Sequence, residues 1–395
     1  MTALIPVLSG CSIFERSENT GGTAETAAQT EAARLDYSGY GFQALQNDNE
    51  KLLYAALDKA INKPYSEKFR APKPQTAEKT RAILELYKDD HPDVFWLDDT
   101  SLYSYVESGD SITIELNFKL DGDALAAAKQ RLEQSVRAAT DNAPTDATDY
   151  QLELYVHDYL LEHCAYDSEA VELHQNDSVR ANEQNAYGAL VEGKAVCEGY
   201  ARAFCLLCTR LGLKNWVLQG TSENVNHIWN CVELDGNWYH VDATWDDRDG
   251  ESTSGSDNYY YFNVNDTEIK KDHTPAALYS DYDAYDALYN GYIPTCGSMD
   301  YNYFTLNGKT IVDLDSEDLP SFVAENAAAG AATCAFVVGD DLNFDDTYDQ
   351  MVSSYAYNWL TSANEINGYE PQLNEVCQLA AYQDRRVITL ILEYV

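Results

Sequence analysis

Three residue types that together can perform acyl transfer occur between residues 185 and 245 of this sequence. Cys197 lies in Val-Cys-Glu-Gly-Tyr-Ala, His227 in Asn-His-Ile-Trp-Asn, and Asp242 in Tyr-His-Val-Asp-Ala-Thr-Trp. In a nucleophilic triad, a base activates a thiol or hydroxyl, and a carboxylate orients the base. Since geometry rather than chain position defines such a triad, local structure decides whether these three residues meet.

The candidate nucleophile, Cys197, is predicted at the start of a helix. Gly193 precedes it, and Gly212 is a suitable helix stop. Between the glycines, apolar residues recur at helical spacing, namely Ala201, Phe204, Cys205, Cys208 and Leu211. The free amides and positive dipole end of a helix N-terminus favour an anion, so this position favours a thiolate. The backbone amide of Cys197 is also placed to bind a developing oxyanion.

The candidate base and carboxylate lie on a predicted hairpin with the turn Asp235-Gly236. Strands are expected over residues 226–234 and 237–242, which are rich in Val, Trp, Tyr and Ile. With this turn, three residue pairs face each other across the two strands, namely Leu234 with Asn237, Cys231 with His240, and Trp229 with Asp242. His227 and Asp242 are then diagonal neighbours on one face, with Cα atoms roughly 7–8 Å apart. A register slip of one residue would place them on opposite faces.

These motifs, with Tyr187-Gly-Ala-Leu upstream of the cysteine, resemble the bacterial transglutaminase-like domain over roughly residues 150 to 275. That superfamily includes transglutaminases and papain-like peptidases and amidases. The resemblance implies that Cys197 is the nucleophile, His227 the general base and acid, and Asp242 the residue that orients His227.

The resemblance also implies a second oxyanion donor upstream of the cysteine. Gln184, Asn185 and Tyr187 are the candidates, and their spacing does not choose among them. The later Lys-Lys-Asp-His273 run resembles the segment directly after the domain in bacterial relatives, but no chemistry is assigned to His273.

The implied reaction is attack of a thiolate on a carboxamide or peptide carbonyl, with no cofactor and no metal. If water accepts the acyl group, the protein is a thiol peptidase or amidase acting on extracellular or cell-wall peptides, which is the interpretation we favour. If an amine accepts it, the protein is a crosslinking transglutaminase. A non-catalytic binding or adhesion module is a third interpretation, although such modules usually lack one triad residue.

The predicted fold class is α+β. A central papain/transglutaminase-like domain over residues 146–298 places the helix bearing the cysteine on an antiparallel sheet bearing the His and Asp. Smaller α+β segments are expected at residues 37–145 and 299–395. Ten tyrosines between residues 259 and 303 are interpreted as a connector packed against neighbouring domains, with an aromatic substrate groove as the alternative.

The charge balance excludes one class of partner. Sixty-six acidic residues against 26 basic residues give a net charge of −40 over 395 residues. Binding to nucleic acid through phosphate contacts requires clusters of Lys and Arg, so we expect no nucleic-acid partner. The acidity is interpreted mainly as a solvated surface.

The first residues suggest a lipid anchor. Leu8-Ser-Gly-Cys11 resembles the signal box of bacterial lipoproteins, in which the cysteine is lipidated. Residues 1–11 lack the basic start of a complete signal peptide. Residues 12–36 have the composition of a flexible tether. No run of 18 apolar residues predicts a membrane span. We therefore expect a protein outside the cytoplasmic membrane, held there only by lipid on Cys11.

The remaining cysteines are interpreted as structural. Cys205 and Cys208 lie on the apolar stripe of a helix, where core packing is favoured over zinc binding. Cys231 opposite His240 is a rival Cys/His pair, but a cysteine within a strand lacks the helix N-terminus offered to Cys197. His240 stays open as an alternative base or a neighbour of Asp242. The acidic residues 246–258 do not match a calcium loop.

Overall fold

The computed structural model describes residues 37–74, 77–98, 101–170, 182–247, 258–276, 293–376 and 378–395. The predicted lipid-modified Cys11 and its tether lie outside these ranges. So do most of the polar residues 165–183, the acidic loop at 248–257 and much of the tyrosine-rich run. Within the described ranges, no helix is both long enough and apolar enough to span a membrane.

The first part of the chain forms helices beside a small sheet. The helices are α1 (Tyr40–Gln43), α2 (Asp48–Ile61), α3 (Ala77–Asp90) and α4 (Gly122–Thr140). The strands are β1 (Phe69–Pro72), β2 (Tyr103–Ser108) and β3 (Ser111–Leu116), paired antiparallel in the order β1-β3-β2. Asn47 begins α2 by accepting a hydrogen bond from the Glu50 amide (3.1 Å).

The central part is built around an antiparallel five-stranded sheet with the order β10-β6-β7-β8-β9. Its strands are β6 (Asn215–Ser222), β7 (Val225–Leu234), β8 (Asn237–Val241), β9 (Phe262–Val264) and β10 (His273–Pro275), and the short β4 (Ala165–Tyr166) and β5 (Lys194–Ala195) pair separately. The helices are α5 (Asp149–His163), α6 (Cys197–Arg210), α7 (Ala243–Asp246) and α8 (Asp266–Ile269). Helix α6 packs on β6 and β7.

One continuous core joins these two parts. A single cluster of buried apolar side chains reaches from Phe42 to Cys296. Helix α6 is buried on nearly every face, because α5 of the central part and α4 of the first part pack against it in addition to the sheet. The helix that bears Cys197 therefore lies in a core to which residues on both sides of positions 145 and 146 contribute.

The last part forms a second layered unit. Strands β11 (Lys309–Ile311), β12 (Thr333–Val338), β13 (Gln378–Tyr382) and β14 (Val387–Ile391) pair in the order β11-β12-β14-β13. Helices α9 (Tyr303–Asn307), α10 (Asp318–Ala328), α11 (Phe344–Gln350) and α12 (Ala356–Ile366) accompany them. A third apolar cluster, which includes Tyr261, Phe304 and Val387, joins this unit to the central sheet.

The observed elements confirm the α+β class. The predicted start of α6 at Cys197 and its stop at Gly212 (φ +86°) are also confirmed. Helices α11 and α12 are joined by a π-helical stretch, Met351–Tyr355, into one helical run from Phe344 to Ile366. Sequence periodicity missed β6, β10 and α10. Strand β6 is buried at seven of its eight positions, so it shows no alternation.

Candidate active site

Cys197 is the first residue of α6 and is only partly buried. The preceding Val196 cannot cap the helix with its side chain, so the first amides of α6 keep their capacity to bind an anion. A short 3-10 turn over Asn182–Gln184 lies against this end, where the Val196 amide donates to the Glu183 carbonyl (2.9 Å). Gly199 permits the approach, because a Cβ there would lie 2.4 Å from that carbonyl oxygen.

The hairpin has the predicted register. Leu234 pairs with Asn237 and Cys231 with His240. His227 lies on β7, and Asp242 immediately follows β8. The Nε2–H of His227 donates to Oδ2 of Asp242 at 2.5 Å. The predicted contact between His227 and Asp242 is therefore present.

The hairpin is also fixed to the helix that carries the thiol. The side-chain amide of Asn230 donates a hydrogen bond to the Ala201 carbonyl of α6 (3.0 Å). Since Nε2 of His227 is bound to Asp242, Nδ1 is the ring nitrogen left for the Cys197 thiol, whose proximity contributes to the raised pKa of His227. The structure thus brings Cys197, His227 and Asp242 together.

Both oxygens of the Asp242 carboxylate are fully used. Oδ1 accepts the backbone amides of Thr244 (3.0 Å) and Trp245 (3.1 Å), so Asp242 is also the N-cap of α7. Oδ2 accepts one hydrogen bond from Nε2 of His227 and another, at 3.0 Å, from Nε2 of His273. Four donors therefore fix the rotamer of a carboxylate that is 1% exposed.

His273 is a site residue that the sequence analysis left without a role. It begins β10, whose residue Thr274 pairs with Thr221 of β6. Gly220 allows this pairing, because a Cβ there would lie 2.2 Å from the Thr274 carbonyl oxygen. The signal in the sequence was the Lys-Lys-Asp-His273 run itself. Because His273 contacts Asp242, we class it as a positioning residue.

The network continues from His273 into the last part of the chain. Nδ1 of His273 faces Oδ1 of Asp272 at 2.5 Å. The other carboxylate oxygen of Asp272 accepts the Tyr261 hydroxyl (2.8 Å) and the guanidinium of Arg385 (3.2 Å). Arg385 follows β13, so the C-terminal unit contributes a buried cation to the network behind the triad.

The electrostatics favour a charged imidazole. Burial alone would lower the pKa of His227, but the charge and hydrogen bond of Asp242, with a further contribution from Cys197, raise its pKa to about 10. Burial opposes ionisation of Asp242 too, but His227 and His273 hold its pKa well below the ordinary value. An imidazolium beside a thiol at a helix N-terminus is the arrangement that produces a reactive thiolate.

The three oxyanion candidates differ in their surroundings. The Tyr187 ring packs against Phe95 (4.7 Å between centroids) within the core. Oδ1 of Asn185 accepts the backbone amides of Tyr187 (3.0 Å) and Gly188 (3.3 Å), which fixes the orientation of this side-chain amide. Its buried Nδ2 then has no hydrogen-bond partner among the described residues. Gln184 is half-buried, and its unpartnered atom is an acceptor, Oε1.

The rival candidates lie elsewhere. Cys205 and Cys208 are buried within α6, and burial raises the pKa of both thiols. His240 binds Asp266 through Nε2 (3.0 Å) and faces Cys231 through Nδ1 (3.3 Å). It is therefore not the base for Cys197.

A metal ion does not fit the His227–Asp242–His273 group. Its donor atoms all lie within 4.8 Å of one another. However, the 2.5 Å between His227 and Asp242 is shorter than the ~3.3 Å expected between two ligands of a tetrahedral ion at ~2.0 Å. A hydrogen-bonded triad accounts for these contacts.

Comparison with known proteins identifies a family match for part of the chain. Residues 135–243 match the model of the transglutaminase-like superfamily. Kyphoscoliosis peptidase of Mus musculus is 26% identical over 133 residues, which are 30% of this chain and 19% of the mouse protein. The chain therefore spans about a fifth of the length of that relative.

Two solved structures show a weaker likeness. A structure described as a TGase has 17% identity and a TM-score of 0.28, with 49% of this chain and 55% of that chain covered. A protein from Cytophaga hutchinsonii, solved as a candidate cysteine protease, has 14% identity and a TM-score of 0.23, with 36% and 61% covered.

Proposed function

We propose, on the premise that residues 135–243 form a domain of the transglutaminase-like superfamily, that this protein is a cysteine acyl-transfer enzyme. Cys197 is the nucleophile, His227 the base and acid, and Asp242 the orienting carboxylate. The observation that carries the proposal is the buried 2.5 Å hydrogen bond between His227 and Asp242 beside a cysteine at a helix N-terminus. Each residue is held by a different element, and α6 and β7 are joined directly by Asn230.

The reaction follows from these positions. The Cys197 thiolate attacks the carbonyl carbon, and the backbone amide of Cys197 donates to the oxygen as it becomes negative. Asn185 supplies the second donor through Nδ2, because its other amide atom is already committed to backbone donors. The imidazolium of His227 gives its Nδ1 proton to the leaving amine, which departs and leaves a thioester on Cys197.

The second half of the reaction consumes that thioester. His227, now neutral, takes a proton from the acceptor as the acceptor attacks the thioester carbonyl, and the thiolate leaves. We propose water as the acceptor and a peptide or protein as the substrate, with cell-wall peptides as one source. The placement of the protein outside the membrane by lipid on Cys11 belongs to the same proposal and rests on the resemblance of residues 8–11 to a lipoprotein signal box.

A peptide library tests the proposal, with the amine dansylcadaverine present and absent. The wild-type protein should release peptide fragments or ammonia, and Cys197→Ala should release none. Incorporation of dansylcadaverine without hydrolysis would replace the peptidase assignment by transamidation. Retention of bound peptides by both proteins, with no product from either, would overturn the enzymatic proposal in favour of a binding module.

A further inference from the structure

A second cluster of buried reactive side chains lies in the hairpin that carries the triad. Sγ of Cys231 on β7 lies 3.3 Å from Nδ1 of His240 on β8 and 3.6 Å from Sγ of Cys296. Cys296 belongs to the segment that follows residue 292, and its carbonyl accepts the Asp266 amide (2.7 Å). All three side chains are fully buried, and the proposed reaction uses none of them.

The donor types and their spacing are those of a zinc site. Two cysteine sulfurs and one imidazole nitrogen are common zinc ligands, at ~2.3 Å for sulfur and ~2.0–2.1 Å for nitrogen. Around a tetrahedral ion those bond lengths place two sulfurs ~3.8 Å apart and a sulfur and a nitrogen ~3.6 Å apart. The observed 3.6 Å and 3.3 Å lie close to these separations. A disulfide would need the sulfurs at ~2.05 Å.

His240 is oriented as metal-binding histidines are. Nε2 faces Oδ1 of Asp266 at 3.0 Å. With Nε2 donating to Asp266, Nδ1 is the ring nitrogen that carries the lone pair, and it lies 3.3 Å from the Cys231 sulfur. A carboxylate on the distal nitrogen is the usual support of a metal-bound histidine. The Trp229 indole donates to the same Nδ1 at 3.2 Å, so a metal ion would displace this hydrogen bond.

We propose that Cys231, His240 and Cys296 bind one Zn²⁺ ion, with its fourth position open to a small ligand such as water. The ion ties β7 and β8 to the segment around Cys296. Because His227 and Asp242 extend from these two strands, the ion stabilises the support of the triad.

Cobalt tests this site without reference to activity. The full chain is purified under reducing conditions, stripped with a chelator, and titrated with Co²⁺ in place of Zn²⁺. We expect one equivalent to produce a sulfur-to-cobalt charge-transfer band in the near ultraviolet and the strong visible bands of a tetrahedral ion. Zn²⁺ should then bleach both. His240→Ala and Cys296→Ser should lose the tetrahedral spectrum, whereas Cys334→Ser, which changes a buried cysteine of β12, should keep it.

Two further variants keep the test decisive. Asp266→Asn alters a part-exposed side chain, leaves all three ligands in place, and should weaken cobalt affinity about 10- to 100-fold. Cys197→Ala should leave the spectrum unchanged, which separates this site from the triad. A folded, reduced wild-type protein that gives no charge-transfer band would overturn the proposal. So would a band that is lost in Cys197→Ala, or recovery of peptides linked by a Cys231–Cys296 disulfide from protein that holds no metal.

Discussion

Exchange of Asp242 for Asn isolates the charge that the triad depends on. Asn and Asp are equally good N-caps, so Oδ1 can go on accepting the amides of Thr244 and Trp245 at the start of α7. The change falls on Oδ2, which becomes an NH₂ group facing Nε2 of His227. That nitrogen must then accept a hydrogen bond, the ring proton moves to Nδ1, and His227 can no longer take the proton of Cys197.

The structure gives the size of the effect. Asp242 is the main cause of the rise in the pKa of His227 from 6.5 to about 10, and a shift of that size corresponds to about 5 kcal/mol. Burial remains in the variant and favours the neutral ring. If about 4 kcal/mol of this preference is lost, alkylation of Cys197 by iodoacetamide at pH 6 slows about 10³-fold. The carboxylate-to-amide exchange in a Ser-His-Asp triad has a comparable effect, about 10⁴-fold on turnover.

The assay is the rate of alkylation of the Cys197 peptide, measured by mass spectrometry beside the melting temperature. Asp266→Asn is the matched control, since it removes a carboxylate from a different histidine, His240, and should change the rate at Cys197 far less than Asp242→Asn does. An Asp242→Asn protein that melts like wild type and alkylates as fast would refute the assignment of Asp242.

Three other results follow from the same geometry. His273→Gln removes one charge-assisted hydrogen bond to Asp242. We expect alkylation of Cys197 to slow about tenfold at pH 6, with a changed pH profile. A lowered melting temperature with an unchanged pH profile would show that His273 only supports the fold. Gly199→Ala places a Cβ 2.4 Å from the Glu183 carbonyl oxygen and should lower the free energy of unfolding by about 1–3 kcal/mol. Gly297→Ala, with no described atom within 4 Å of the added Cβ, should change the free energy of unfolding little. Equal losses for the two variants in urea denaturation would contradict this account. The pKa of His227 is raised to about 10 in the folded protein, and the Asp158 and Asp246 contacts raise that of His157 to about 9 against the effect of burial. Above pH 6.5 the folded state therefore binds more protons than the unfolded state does. The unfolding free energy should fall by at least about 2 kcal/mol between pH 6.5 and 9.5. Constant stability over that range would show that these histidines are not charged.

The local parts of the site were predictable because short-range signals determine them. The Asp235-Gly236 turn sets the register that brings His227 and Asp242 together, and Gly212 ends the helix that begins at Cys197. The contact of His273 with Asp242 could not be predicted, because the pairing of β10 with β6 places His273 there and β6 is a buried strand without alternation. Cys296 meets Cys231 across 65 residues, and no periodicity reports a contact of that kind. The choice of Asn185 among the oxyanion candidates likewise depends on the structure, because only the structure shows that its Oδ1 accepts two backbone amides.

The most direct test of the central claim is the pH dependence of iodoacetamide alkylation at every cysteine of the wild-type protein and of His227→Ala. The structure places Cys197 at a partly exposed helix N-terminus beside His227, whereas the other cysteines among the described residues are buried. We predict that Cys197 reacts fastest, stays reactive at pH 6, and loses that reactivity in His227→Ala. Slow alkylation of Cys197 at pH 6, or equal rates in the two proteins, would contradict a Cys197–His227–Asp242 triad.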